Sequence, residues 1–329
     1  MADNQKKRGV FTISLDFELY WGMRDVVTIE AYRDNLEGTS TAVNEMLALF
    51  EKYHIHVTWA IVGFLFFRNE EELRKNLPIK KPAYNNNAFN LYDYIKKSKS
   101  LYNSYHFAPD LISKIINTPF QELATHTFSH YYCLEEGQSI EEFQEDISLA
   151  QKTAFLKAGI QCSSLVFPRN QCNEAYLPVL AENGIIAYRG NEPHWIYQES
   201  DWNGRILFRR ALKLLDSYIN ISGHHTVAID KLKQKDGVLN IPSSRFLRPF
   251  SEKISFLDFL KLRRIKKSMT YAAQKGEIFH LWWHPHNFGK DTHQNILFLE
   301  QILCHYKFLS RQYGMESLHM QEIAGKFRQ

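Results

Sequence analysis

The chain has 329 residues, 44% hydrophobic and 23% charged, which is ample material for one large core and far too apolar for a disordered polymer. A formal net charge of +4 is too slight to argue for a nucleic-acid partner. The most apolar run, residues 57–67, is too short to span a bilayer and leaves no integral membrane segment to expect. The polar start, Met1 to Arg8, runs straight into a β-rich stretch without an apolar leader core. Cys133, Cys162, Cys172 and Cys304 form no C-x-x-C pair and read as reduced thiols, so a cytoplasmic location is expected.

The first predicted strand is Val10 to Leu19, in which alternation puts Asp16 and Glu18 on one face and Leu15 and Phe17 on the other. Two carboxylates at the end of a buried strand are costly unless a cation or proton lies between them. A helix from about Tyr32 to Lys52 carries Val43, Met46, Leu47 and Phe50 at helical spacing, and a second strand spans Ile55 to Gly63. Residues 68–105 read as a long insertion. Pro109 opens a short helix that returns to an apolar run ending in His126 and His130. If the chain turns helically from Thr127, two imidazoles at i and i+4 share a face and can close on one divalent cation.

Ser139 to Glu142 is a capping box, and the helix it starts stops at Gly159. Strands follow at Ser164–Phe167, which runs into Pro168–Arg169–Asn170, and at Ile185–Tyr188. Residues 189–236 form a second insertion, rich in aromatic side chains. Further strands are expected at Val238–Ile241 and Ile278–His286, a last helix at about Asn295–Tyr313, and a final short strand within Met315–Met320. Strands alternating with helices indicate a parallel sheet, and seven or eight such units closing on themselves form a barrel in a single α/β domain over 1–329. In such barrels reactive groups gather at the C-terminal ends of the strands. Asp16, Glu18, His126, His130, Arg169, His284 and His286 all fall at those ends. Histidine and carboxylate ligands suit zinc or a similar divalent metal, and the implied chemistry is metal-assisted hydrolysis of an amide or ester.

The order and content of these segments resemble the polysaccharide deacetylase family, with its NodB-type domain (carbohydrate esterase family four), and the resemblance implies a distorted (β/α)7-type barrel, a single α/β domain with loop insertions. The family's opening T-F-D-D-G corresponds to Ser14–Leu15–Asp16–Phe17–Glu18, with Phe17 in place of the second Asp and Glu18 available as the ligand in a D-x-E variant. H-[ST]-x-x-H fits His126–Thr127–Phe128–Ser129–His130, and L-x-x-H fits Leu281–Trp282–Trp283–His284. R-x-P-Y is echoed by Phe167–Pro168–Arg169–Asn170; for the fourth motif, Trp195 and Asp201–Trp202 are the candidates. The resemblance implies one divalent metal, zinc with cobalt, manganese or nickel as alternatives, held by Glu18, His126 and His130. It implies Asp16 as base, Arg169 orienting it, backbone N–H groups near Asn170 at an oxyanion, and His284 as acid with His286 its competitor. Trp283, His286 and Asn170 are expected at the substrate.

That substrate is expected to be an N-acylated sugar of surface-glycan synthesis, carried on a nucleotide or a lipid, with Arg209–Arg210 and residues 261–267 candidates for a phosphate or membrane surface. Two other readings are a metal-free, allantoinase-like cyclic-amide hydrolase, since His284–Pro285–His286 also suits that barrel, and a non-catalytic glycan-binding barrel.

Overall fold

The computed structural model describes residues 7–98, 100–197 and 203–328. Its strands are β1 (Val10–Phe17), β2 (Val57–Ile61), β3 (Gln121–Thr125), β4 (Ser164–Val166), β5 (Ala187–Gly190), β6 (Lys233–Lys235), β7 (Val238–Pro242), β8 (Arg245–Phe246), β9 (Ile278–Trp283) and β10 (Glu316–Ser317). They form a 10-stranded sheet in the order β6-β7-β5-β4-β3-β2-β1-β9-β8, with β10 beside the start of β1. Every ladder is parallel except the β6–β7 hairpin.

The ladders do not close the ring. The gap lies between β7, which pairs with β5, and β8, which pairs with β9. One continuous extended segment crosses it: the Ser243 N–H bonds Gly190 O on one side, and the Ser244 N–H bonds His280 O on the other, both at 2.8 Å. The barrel is thus completed by a seam in which a single chain serves both neighbours in turn.

Helices α1 (Ile29–Tyr53), α2 (Glu70–Lys75), α3 (Leu91–Lys97), α4 (Asn103–His106), α5 (Pro109–Asn117), α6 (Ile140–Ala158), α7 (Leu177–Glu182), α8 (Asn203–Asp216), α9 (Asp258–Lys275), α10 (Thr292–Tyr313) and α11 (Met320–Phe327) complete the fold. The first insertion therefore carries α2 to α4 and the second α8 and β6. The expected capping box is present at Ser139 and Glu142, and Gly159 ends α6 in the left-handed conformation. The segment read as one strand to His286 stops at Trp283, where a 3-10 turn over Pro285–Phe288 begins.

Strand alternation decides what fills the barrel. Phe11, Ile13, Leu15 and Phe17 of β1 are fully buried in the main apolar core shared with the helices, including Met46 and Phe50 of α1. The opposite face carries Thr12, Ser14 and Asp16, all buried. Small residues Ala60, Ala124 and Val166 pack together on β2, β3 and β4. Met320 and Ile323 of α11 pack in a second apolar cluster with Val10, Leu239 and Ile278. The end opposite the carboxylates is tied to α11 by the Met320 N–H, which donates to Thr58 Oγ1 at 2.9 Å.

Candidate active site

Beyond Asp16 the chain leaves β1, takes a left-handed turn at Leu19 (φ 49°), and enters a short 3-10 turn, Leu19–Gly22. Glu18 folds back over the barrel mouth against Gly22, where any Cβ would lie 2.2 Å from the Glu18 carboxyl carbon. The glycine is there so that the carboxylate can be.

His126 and His130 are not on a helical turn. Thr127 and His130 adopt φ of 64° and 53°, and these two left-handed residues, costly for side chains of this size, bring the rings to 5.1 Å between centroids. Asp146 of α6 holds the turn by accepting the Phe128 N–H at 2.7 Å and the Ser129 N–H at 3.1 Å, together with the Ser129 hydroxyl. A helix would have satisfied those amides internally. The buried carboxylate replaces it.

Glu18 Oε2 lies 2.8 Å from His130 Nε2 and 3.3 Å from His126 Nε2. His126 donates from Nδ1 to Val166 O at 2.8 Å, and the tautomer that this bond favours presents an Nε2 lone pair to the carboxylate. That nitrogen is buried and makes no hydrogen bond. Two lone pairs facing each other in a dry site call for a cation between them. The candidate ligand atoms of Glu18, His126 and His130 all lie within 4.8 Å of one another, and two imidazoles with one carboxylate suit a divalent transition metal. The residues fit such an ion.

Asp16 is held by an arginine that the sequence reading missed. Arg189 of β5, fully buried, donates from Nη1 to Asp16 Oδ1 at 2.6 Å and from Nη2 to Asp16 Oδ2 at 2.7 Å. It also donates to Ser14 Oγ at 3.0 Å and Asn170 Oδ1 at 2.7 Å, and stacks 4.2 Å over Trp282. Burial opposes charge on Asp16, but the Arg189 fork overrides it and holds the carboxyl below its usual range. Burial likewise acts against Glu18, and the surrounding imidazoles, His284 and His130 foremost, hold it well below the carboxylate range.

His284 Nε2 sits 3.8 Å from Asp16 Oδ2 and 3.6 Å from Glu18 Oε1, with its side chain 23% exposed to the cleft. Asn287 Nδ2 lies 3.4 Å from its Nδ1, which favours the proton on Nε2. His286 Nε2 is 3.9 Å from Glu18 Oε1 but is fully enclosed beside the Tyr32 ring, and burial pushes its pKa down to about 3.

No protein-family model matches the chain, and no curated protein sequence does. Solved structures do. A Mycobacterium smegmatis protein assigned to the polysaccharide deacetylases aligns over 100% of this chain and 93% of its own, at 12% identity and a TM-score of 0.63. A Pseudomonas aeruginosa protein assigned likewise aligns over 96% and 89%, at 11% identity and 0.53. The Puue allantoinase aligns over 98% and 90%, at 10% identity and 0.55. The chain has the polysaccharide deacetylase fold.

Within that fold, Arg169, the backbone amides near Asn170 and Trp283 are placed differently from expectation, whereas Asn170 itself lines the cleft. Arg169 does not reach Asp16. Left-handed backbone at Arg169 and Asn170 (φ 54° and 56°) sets Arg169 over the Tyr132 ring at 4.7 Å and in an ion pair with Asp25, while Asn170 meets Arg189. The N–H groups of Asn170 and Gln171 already bond Phe167 O and Pro168 O, so they do not offer an oxyanion hole. Trp283 faces the helices, fully buried and stacked on Phe288 at 5.5 Å, whereas Trp282, one residue earlier, lines the cleft beside His284. Trp195 is half exposed under Arg209, and Asp201–Trp202 lie outside the described residues.

Two further groups complete the polar layer beneath the site. His280 bonds Ser14 Oγ at 2.8 Å, with burial pushing its pKa to about 3. Glu192 accepts from Trp282 Nε1 at 3.1 Å. Counting back by twos from His284 gives Trp282 and His280, so alternation was a signal for both.

Proposed function

We propose that the chain is a metal-dependent hydrolase that removes an N-acetyl or similar acyl group from a sugar, acting in the cytoplasm on an intermediate of surface-glycan synthesis. The observation that carries the reading is the convergence of Asp16, Glu18, His126, His130 and His284, from three separate segments, around one buried point beside an open cleft. Glu18, His126 and His130 would hold a divalent cation, zinc in preference to cobalt, manganese or nickel, which supplies Lewis-acid polarisation of a carbonyl and acidification of water. Asp16, fixed by Arg189, takes the proton from the attacking water. His284, the histidine with access to the cleft, delivers a proton to the departing amine; enclosed His286 instead packs behind Glu18. Arg189 orients Asp16, the task first expected of Arg169.

The reading is tested by quantifying metal and acetate release together. Wild-type protein is expected to hold about one zinc per chain and to release acetate from N-acetyl sugars. His126→Ala should lose both, and Asp16→Asn should lose acetate release while keeping the metal. Hydrolysis by metal-stripped protein would favour the metal-free cyclic-amide hydrolase reading. Sugar binding without turnover would leave a glycan-binding barrel.

A further inference from the structure

Beside His284 the mouth of the barrel opens into a cleft of about 410 Å³ whose walls carry Arg169, Lys213, Arg245 and Arg248. Glu192, the one carboxylate among its lining residues, is engaged with Trp282.

The charge behind this wall does not balance. Asp216, fully buried, lies 2.9 Å from Arg245 Nη1 and 3.7 Å from Arg264 Nη2, so one carboxylate serves two guanidinium groups. Its oxygens are already well supplied. They accept from Tyr197 Oη at 2.8 Å, Ser222 Oγ at 2.7 Å and the N–H groups of Ile221 and Ser222 at 2.9 and 2.8 Å. Arg248 adds a third guanidinium; its Nε donates to Ser217 Oγ at 2.7 Å, and it makes no ion pair among the described residues. Burial and the neighbouring Arg245 both push the Arg248 pKa down.

Arg245 supplies the directional part. It is 97% buried (3% exposed), and its Nη1 is occupied by Asp216, but Nε and Nη2 have no hydrogen-bond partner. Those two N–H groups form the side-on edge of the guanidinium that grips two oxygens at once. Leaving them unmade in a buried wall is expensive unless a ligand completes them.

We propose that this cleft binds a phosphoryl group carried by the substrate beside its acylated sugar, with Arg245 and Arg248 as the gripping pair. The proposal rests on the deacylase reading only in placing the sugar between the cleft and Asp16. A phosphoryl group fits better than a single carboxylate, because it offers more acceptor oxygens and up to two charges to an under-neutralised arginine cluster. Of the basic residues expected for this role, Arg209 lies over Trp195 and Lys261 pairs with Asp258, while Arg264 stands behind the cleft wall against Asp216.

Calorimetric titration of the full chain with glucosamine 1-phosphate, glucosamine and inorganic phosphate tests this without turnover. Glucosamine 1-phosphate should bind about tenfold or more tightly than glucosamine, the scale of one charge-assisted hydrogen bond, and inorganic phosphate should compete with it. Arg248→Gln should remove most of that preference, and Arg248→Lys, which keeps the charge without the fork, should restore part. Equal affinity for the two sugars, or an undiminished preference in Arg248→Gln, overturns the proposal. Phosphate preference without acetate release from any sugar would retain the cleft and reject the deacylase. Competition by uridine diphosphate rather than farnesyl phosphate assigns a nucleotide carrier, and the reverse assigns a lipid carrier.

Discussion

Arg189 and Asp16 bond through two parallel N–H···O contacts inside the barrel, with neither side chain in water. Replacing one partner leaves the other charged and buried, which typically costs about 3–5 kcal/mol. Arg189→Gln is therefore expected to lower urea-denaturation stability by that order, and the Asp16→Asn/Arg189→Gln double variant should recover most of it. A loss in the double variant equal to the sum of the two single losses would mean that the pair is uncoupled. Gly22 tests the neighbouring carboxylate more gently. An alanine Cβ there would collide with the movable end of Glu18 and with no backbone atom nearer than that. Gly22→Ala should keep its circular dichroism spectrum yet bind metal about tenfold or more weakly, the scale of a disturbed ligand support. Both residues show where sequence reading fell short. Asp16 and Glu18 were legible because an apolar run led into them, but Arg189 reads as the start of an insertion. A long basic side chain ends an apolar pattern, and only the partner across the barrel makes it an interior residue.

Among elements, α4 couples the first insertion to the active-site turn. His106 at its end packs 4.8 Å from the Trp21 ring, and its backbone carbonyl accepts from Trp21 Nε1 at 2.7 Å. The imidazole donates from Nδ1 to Tyr102 O at 3.0 Å and accepts the Tyr94 hydroxyl at Nε2, 2.9 Å away. Burial pushes its pKa from 6.5 down to about 4. The unfolded chain binds a proton there between those values and the folded chain does not, so stability falls as pH drops from 6.5 to about 4. His225, also pushed to about 4 by burial, contributes in the same sense. Thermal melts of His106→Gln should show a flatter acid limb than wild type over this window. An unchanged limb would locate the acid sensitivity elsewhere. The helices themselves were legible wherever caps and spacing agreed, as at Ser139 and Gly159 in α6. The H-x-x-x-H turn was not, because its geometry is imposed by Asp146 from another helix, and i, i+4 spacing alone reads as helical.

At the scale of the molecule, the parallel βα order was open to inspection in alternating apolar runs, but the manner of closure was not. Closure depends on Ser243 and Ser244, two small polar residues with no strand signature, passing between β5 and β9. Hydrogen exchange is expected to protect their amides as strongly as those of β1 and β9. Fast exchange at both would show that the barrel opens along this line in solution. No helix among the described residues is long and apolar enough to cross a membrane. Cys133 and Cys162 are buried and free, Cys172 is partly buried and Cys304 exposed.

The proposed ligands and base come from the ends of β1 and β3, whereas the arginine-lined cleft is built from the turn after β4, the end of β5, α8, β8 and β9. On the proposed reading, chemistry and recognition occupy opposite sides of the barrel mouth and meet at His284. Such a division lets one side be rewritten while the other stays fixed. Directed evolution of the α8 and 243–248 segments should exchange one carrier group for another without relearning hydrolysis, and random change in β1 or the 126–130 turn should abolish turnover whatever the substrate.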